Sequence, residues 1–164
     1  RSGYIGGYTK INPDEDIVSS GLISKKLLLS KIEIALAGRA AETIVYGKNE
    51  ITQCSINDIS YATSIVREMV TKYGFSIIGP LSLGDSGETS IGDVFVRNKS
   101  TIADNTYSRI DNEIINISKI SLNNAIKIIS NNRILLEKLV ALLLIKETVE
   151  NYTFKKISFD LLKV

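Results

Sequence analysis

The sequence has 164 residues, 44% of them apolar, and carries 20 basic and 18 acidic side chains for a net charge of +2. This length suits one domain with a substantial core, and the near balance of charge favours neither nucleic acid nor an anionic membrane as partner. A single cysteine excludes an intrachain disulfide and fits a reducing compartment. No signal peptide is recognisable, and the longest apolar run, residues 139–145, is far shorter than the ~20 residues of a membrane-spanning helix.

The first predicted element is a short strand over residues 5–11, which begins with the pair Gly6 and Gly7. Glycine weakens a strand but lets another backbone approach closely, so this strand can border a binding site. The alternative is a simple edge strand or turn, because glycine pairs commonly mark turns. Residues 12–23, which include Pro13, are predicted to form a loop.

A helix is predicted from Ser24, a suitable N-cap, to about Tyr46, with Gly47 ending it. Gly38 lies inside this helix and should cost about 1 kcal/mol there, which a close helix–helix contact would explain. Apolar residues recur at spacings of three and four: Leu28, Ile32, Ala35, Leu36, Ala40, Ile44 and Val45.

A polar linker over residues 48–55 leads to a second amphipathic helix, whose first turn contains Asp58. Gly74 follows the last periodic residue, where a left-handed helix cap is common. The apolar face of this helix comprises Ile59, Ala62, Ile65, Val66, Met69, Val70 and Tyr73.

The second half of the chain is predicted to be a loop-rich stretch followed by scaffold helices. Residues 76–97 contain several glycines and a turn signal at 85–87, and form either a mobile flap beside an active site or an ordinary surface loop. A helix with one apolar face runs from about residue 100 to 131. The next helix, 133–146, is apolar almost all round and is therefore predicted to be largely buried. A short helix at 154–162 closes the domain.

These elements predict a mainly α fold, a helical bundle with one or two short β-strands or a hairpin near the active-site edge. The segment from Gly38 to Phe75 resembles the peptidase domain of the FtsH family of membrane-anchored, ATP-dependent zinc metalloproteases, and the likeness extends over nearly the whole chain. The matching pieces are GGYT at 6–9, GRAAETIVYG at 38–47, Asn57-Asp58 with the helix ATSIVREMVTKYG, Arg97-Asn98, Ile110-Asp111 with Glu113-Ile114, Leu136-Glu137, and Glu147-Thr148.

The resemblance implies that residues 1–164 are an N-terminally incomplete FtsH-like peptidase domain. The family's HExxH motif supplies two zinc-binding histidines and the catalytic glutamate, and it precedes the GYT strand. This chain begins at Arg1 and contains no histidine, so no catalytic residue is expected in it. Zn²⁺ is expected in the intact protein but not on this fragment. ATP and Mg²⁺ would bind only to the family's ATPase module, and the chain has no P-loop.

The resemblance also assigns candidate site residues. Asp58 matches the family's third zinc ligand, and a zinc site with three protein ligands and one open position fits that role. The alternative is an ordinary acid at a helix start, stabilised by the helix dipole by about 0.3–1 kcal/mol. Gly7, Tyr8 and Thr9 match the strand that pairs with extended substrate. The family's threonine-glycine-alanine-serine run is replaced here by Gln53, Cys54, Ser55 and Ile56.

Two further side chains near this segment, those of Cys54 and Glu42, each have more than one possible role. Cys54 is interpreted as a free, structural thiol rather than a soft metal ligand, because no cysteine or histidine accompanies it. Glu42 either orients a metal ligand, or pairs with Arg39 or another neighbour, or faces solvent.

Two functions follow from the resemblance. The first is the proteolytic portion of a membrane-anchored, ATP-dependent zinc metalloprotease that degrades unfolded or membrane proteins. Its implied partners are unfolded polypeptide and like subunits in a homo- or hetero-hexameric ring, without nucleic acid. Its implied location is the cytoplasmic, matrix or stromal side of a membrane, reached through an anchor outside this chain. The second is a non-proteolytic structural or translocation subunit of such a ring. An unrelated helical interaction module is a third, less specific hypothesis.

Overall fold

The computed structural model describes residues 9–10, 22–80 and 104–162. Within these residues the chain forms helices only, which confirms the predicted mainly α fold. The predicted strand at 5–11 and the turn at 85–87 lie outside the described residues, except that Thr9 and Lys10 belong to no regular element. The elements in order are α1 (Lys25–Val45), a 3₁₀ turn (Gln53–Ser55), α2 (Ile56–Thr71), α3 (Asp104–Asn131), α4 (Arg133–Lys146) and α5 (Asn151–Leu162).

The boundaries of α1 and α2 follow from local chemistry. The hydroxyl of Ser24 accepts a hydrogen bond from the N–H of Leu27 at 3.2 Å, so one of the free N–H groups at the start of α1 is satisfied. After α1, Gly47 has a φ of +85°, and after α2, Gly74 has a φ of +64°. Both values lie in the left-handed region that glycine adopts without strain. The predicted caps are therefore confirmed.

The core lies between α1, α2 and α3, with α1 in contact with both other helices. Ile32 on α1 and Val66 and Met69 on α2 are completely buried. Three- and four-residue spacing puts these side chains on single helix faces, as the periodicity predicted. The prediction was wrong for Val45, Ile59 and Tyr73, which are exposed at the edges of these faces. The buried apolar cluster comprises Leu28, Ile32, Leu36, Ala62, Ile65, Val66, Met69, Val70, Ile110 and Ile114.

The prediction that α4 is largely buried is wrong. No residue of α4 is buried, and Leu144 and Ile145 are 81% and 79% exposed. A helix that is apolar on every side needs neighbours on every side, but among the described elements α4 contacts only α3 and α5. Neither α4 nor any other helix in the described ranges is long and apolar enough to cross a membrane.

The close helix contact predicted at Gly38 is also wrong. Gly38 is exposed on α1, and a Cβ added at this position would meet no atom within 4 Å. The space that glycine leaves is therefore unused by the described part of the chain. Gly38 weakens α1 locally without a compensating contact among these residues.

Candidate functional site

Asp58 lies in the first turn of α2 with its side chain exposed. Within the described residues its carboxylate takes part in no hydrogen bond or ion pair. One and two turns further along α2, Ala62 and Ile65 are buried in the core, which holds the helix in place. The carboxylate is therefore exposed at the start of a helix that is anchored in the core.

The segment that leads to Asp58 is a tight turn without a flexible spacer. Thr52 is the N-cap of the 3₁₀ turn, and its hydroxyl accepts the N–H of Cys54 at 3.3 Å. Cys54 is an exposed free thiol, as predicted. Ser55 is the N-cap of α2, yet its hydroxyl makes no capping bond and is buried without a partner among the described residues.

Two charged side chains of α1 bind Thr52. The carboxylate of Glu42 accepts the Thr52 N–H on Oε2 at 3.0 Å and the Thr52 hydroxyl on Oε1 at 2.9 Å. Arg39 Nη1 donates to the Thr52 carbonyl at 3.0 Å and lies 3.8 Å from Glu42 Oε2. We call Arg39, Glu42 and Thr52 the Thr52 clamp. Of the interpretations of Glu42, pairing with Arg39 and a neighbour is thus confirmed.

The electrostatics of the clamp favour the ionised form of Glu42. The hydrogen bond from the Thr52 backbone, then that from the Thr52 hydroxyl, and then the Arg39 charge lower the pKa of Glu42 below its ordinary value of 4.5, against an opposing effect of desolvation. The sequence indicated no role for Thr52. Glu42 and Thr52 are ten residues apart across a linker, so no helical or strand periodicity relates them.

The described residues do not make a complete metal site. Among them no group of three or more histidine, cysteine, aspartate or glutamate side chains is arranged to hold a metal ion, and the whole sequence contains no histidine. A catalytic zinc has three protein ligands, so Asp58 alone cannot fix one. Of the predicted substrate-binding residues, Gly7 and Tyr8 lie outside the described ranges, and Thr9 is exposed.

A groove of about 260 Å³ lies between α1, α2 and α3, near the carboxyl end of α2. Its wall includes Met69 and Phe75 together with Glu33 and Glu113. Met69 follows Asp58 by eleven residues, which in a helix corresponds to about 16 Å. The groove is therefore separate from the candidate metal-binding end of α2.

Comparison of the sequence with known proteins identifies the class of protein to which this helical domain belongs. The chain belongs to peptidase family M41, whose sequence model matches residues 1–157. The resemblance found in the sequence is thereby confirmed, and the family is that of the FtsH-type ATP-dependent zinc metalloproteases.

Relatives of the chain carry that name. It is 37% identical over 155 residues to an ATP-dependent zinc metalloprotease FtsH of Trieres chinensis, covering 92% of this chain and 23% of the relative. The corresponding protein of Cyanidium caldarium is 40% identical over 153 residues, covering 92% and 24%. That of Mesomycoplasma conjunctivae is 39% identical over 148 residues, covering 90% and 19%. The chain thus spans about a quarter or less of the length of these relatives.

Proposed function

We propose that this chain is the peptidase portion of an ATP-dependent zinc metalloprotease and that Asp58 is one of the protein ligands of its zinc ion. The observation that carries the proposal is the family match over residues 1–157. In the intact protein, zinc would polarise the substrate carbonyl and activate a water molecule. The other ligands and the general base would come from an HExxH motif outside these 164 residues.

The surroundings of Asp58 support its role as a ligand. An acid in a first helical turn is also stabilised by the helix dipole, so the position of Asp58 in α2 fits both interpretations and the family match favours the ligand role. Its carboxylate is exposed, and its helix is anchored in the core through Ala62 and Ile65. A zinc-binding carboxylate needs both accessibility and a fixed position.

The proposal extends to the partners of the intact protein. Unfolded or membrane-derived polypeptide is its substrate, and Gly7, Tyr8 and Thr9 pair with the extended substrate as an added strand. ATP and Mg²⁺ act in a separate ATPase module, and like subunits assemble into a hexameric ring. An anchor outside this chain attaches the protein to a membrane, with the peptidase on the cytoplasmic, matrix or stromal side.

The decisive experiment uses the intact gene product, purified with its ATPase module. Bound zinc is measured by mass spectrometry, and hydrolysis of fluorescently labelled unfolded casein is followed in the presence of ATP. Asp58→Asn is compared with Asp111→Asn, the same substitution at an exposed acid on α3. Loss of a zinc ligand should reduce activity by more than about 100-fold, beyond the usual effect of losing an outer hydrogen-bond partner.

The control and the zinc analysis make the result decisive. Asp111→Asn should retain both zinc and activity, because the Asp111 carboxylate is exposed and is not among the candidate site residues. A zinc-loaded and fully active Asp58→Asn variant would refute the ligand role. Restoration of activity by added zinc at high concentration would support it, since a weakened site fills at higher metal concentration.

The second candidate function is a non-proteolytic structural or translocation subunit of the same kind of ring. The observation that favours it is the altered sequence before Asp58, where Gln53, Cys54, Ser55 and Ile56 replace the threonine-glycine-alanine-serine run of the family. Absence of zinc and of casein hydrolysis in the wild-type intact protein, with ATP hydrolysis preserved, would favour this candidate.

A further inference from the structure

We infer that Arg39 and Glu42 are positioning residues that fix the segment carrying Asp58, through their three contacts with Thr52. The expected effect on zinc binding rests on the proposed function. The fixing of the segment before Asp58 rests on the geometry alone. Every backbone and side-chain polar group of Thr52 is engaged: its N–H and hydroxyl donate to Glu42, and its carbonyl accepts from Arg39.

The position of Thr52 along the chain makes it an effective anchor point. It is the N-cap of the 3₁₀ turn Gln53–Ser55, and α2 begins immediately afterwards at Ile56. All residues between Thr52 and Asp58 therefore belong to a hydrogen-bonded turn or helix. Fixing Thr52 to α1 restricts the direction in which α2 starts, and with it the position of the Asp58 carboxylate.

The clamp differs from the ordinary surface ion pairs of this protein. Lys72 and Glu68 form an exposed pair at 3.1 Å, separated by four residues along the chain. Such a pair has little influence on the path of the chain. By contrast, Glu42 and Thr52 are ten residues apart and Arg39 and Thr52 thirteen, in different elements. The two bonds to the Glu42 carboxylate are charge-assisted and bidentate, which fixes orientation as well as distance.

The competing explanation is that the clamp only adds to overall stability. The two explanations differ in what should change when the clamp is broken. A purely stabilising contact would lower the melting temperature and leave the zinc affinity of the folded protein unchanged. A positioning contact would lower the zinc affinity, because ligand groups must be held within about 0.5 Å of their productive geometry.

The test uses the intact protein and two measurements. Hydrogen exchange followed by mass spectrometry reports the mobility of peptides covering residues 47–58. Competition with a chelator of known affinity reports zinc binding. The variants are Glu42→Gln, whose amide nitrogen would face a Thr52 donor, and Thr52→Val, which lacks the hydroxyl. Thr52→Ser keeps the hydroxyl, and Glu68→Gln is the matched control at an acid of a surface ion pair.

The inference predicts a consistent pattern across these variants. Glu42→Gln and Thr52→Val should exchange about tenfold faster over residues 47–58, the change expected for losing a charge-assisted hydrogen bond. Their zinc affinity should fall at least about tenfold, as for other outer partners of metal ligands. Thr52→Ser and Glu68→Gln should resemble the wild type in both measurements.

Two results would overturn the inference in whole or in part, and a third would separate it from the proposed function. Unchanged exchange in both Glu42→Gln and Thr52→Val would overturn the clamp. Faster exchange with unchanged zinc affinity would overturn its positioning role and leave the zinc proposal intact. If the wild-type protein binds no zinc, the proposed function fails, and the exchange measurement alone then supports or overturns the fixing of the segment by the bonds between Glu42 and Thr52.

Discussion

The side-chain amide of Asn124 on α3 donates a hydrogen bond to the carboxylate of Glu33 on α1 at 3.0 Å, across 91 residues of sequence. The contact is partly buried and lies between two helices of the core bundle. A polar pair at this position helps to fix the register of the two helices, because only one alignment satisfies both groups.

Replacing Asn124 with aspartate is expected to destabilise the protein by about 1–3 kcal/mol at neutral pH. The substitution keeps the shape of the side chain but removes the donor and places a second carboxylate against Glu33. Chemical denaturation measures the effect, with Asn123→Asp as control, since Asn123 is an exposed neighbour on the same helix. Equal stabilities of the two variants would show that the Asn124–Glu33 bond contributes nothing.

Leu36 and Leu144 are a matched pair for testing the location of the core. Leu36 on α1 is 7% exposed and Leu144 on α4 is 81% exposed. Truncating a buried leucine to alanine costs about 2–5 kcal/mol, whereas an exposed truncation changes stability by less than about 0.5 kcal/mol. Thermal unfolding of Leu36→Ala and Leu144→Ala should reproduce this difference. A large loss in Leu144→Ala would mean that α4 is covered in solution.

Substitution by alanine should change the stability of the protein in opposite directions at Gly38 and Gly47. A methyl group added at either position would meet no atom within 4 Å, but Gly47 has a φ of +85° and Gly38 lies inside α1. Gly38→Ala is expected to stabilise the protein by about 0.5–1 kcal/mol through helix propensity. Gly47→Ala is expected to destabilise it by about 1–2 kcal/mol, since alanine is strained at positive φ. Urea titration of both variants checks the signs.

The contribution of Glu42 to stability should depend on pH in a defined direction. The pKa of Glu42 in the folded chain is below its ordinary value of 4.5, because two hydrogen bonds from Thr52 and the charge of Arg39 favour the ionised carboxylate. The stabilisation is therefore complete above the unfolded-state pKa and is lost as the pH falls through the lowered, folded-state pKa. The difference in unfolding free energy between wild type and Glu42→Gln should shrink over this acidic range. A difference that stays constant would contradict this assignment.

Local rules predicted much of the fold from the sequence. Ser24, Gly47 and Gly74 mark helix ends through hydroxyl capping and left-handed backbone, both of which depend only on nearby residues. Most of the buried faces of α1 and α2 followed from spacing, but Val45, Ile59 and Tyr73 at their edges are exposed. Asp58 was identified through resemblance, since an acid in a first helical turn has no distinctive pattern.

The exposure of α4, the contacts of Thr52 and the open surroundings of Gly38 depend on tertiary contacts, which the spacing of apolar residues does not predict. The apolar composition of α4 indicated burial, but burial requires a neighbour, and the described elements supply too few of them. The three contacts of Thr52 join a linker to the preceding helix, so their partners are set by the path of residues 46–52. Gly38 was assigned a packing role that the described neighbours do not provide.

The exposure of Leu144 and Ile145 affects how unfolding of this chain should be followed. Fluorescent dyes such as ANS bind to solvent-accessible hydrocarbon, and here that hydrocarbon is present in the native state. A dye-based melting curve would therefore begin with a high fluorescence signal, and the increase in fluorescence on unfolding would be small. Circular dichroism at 222 nm, which reports the helical backbone directly, avoids this background.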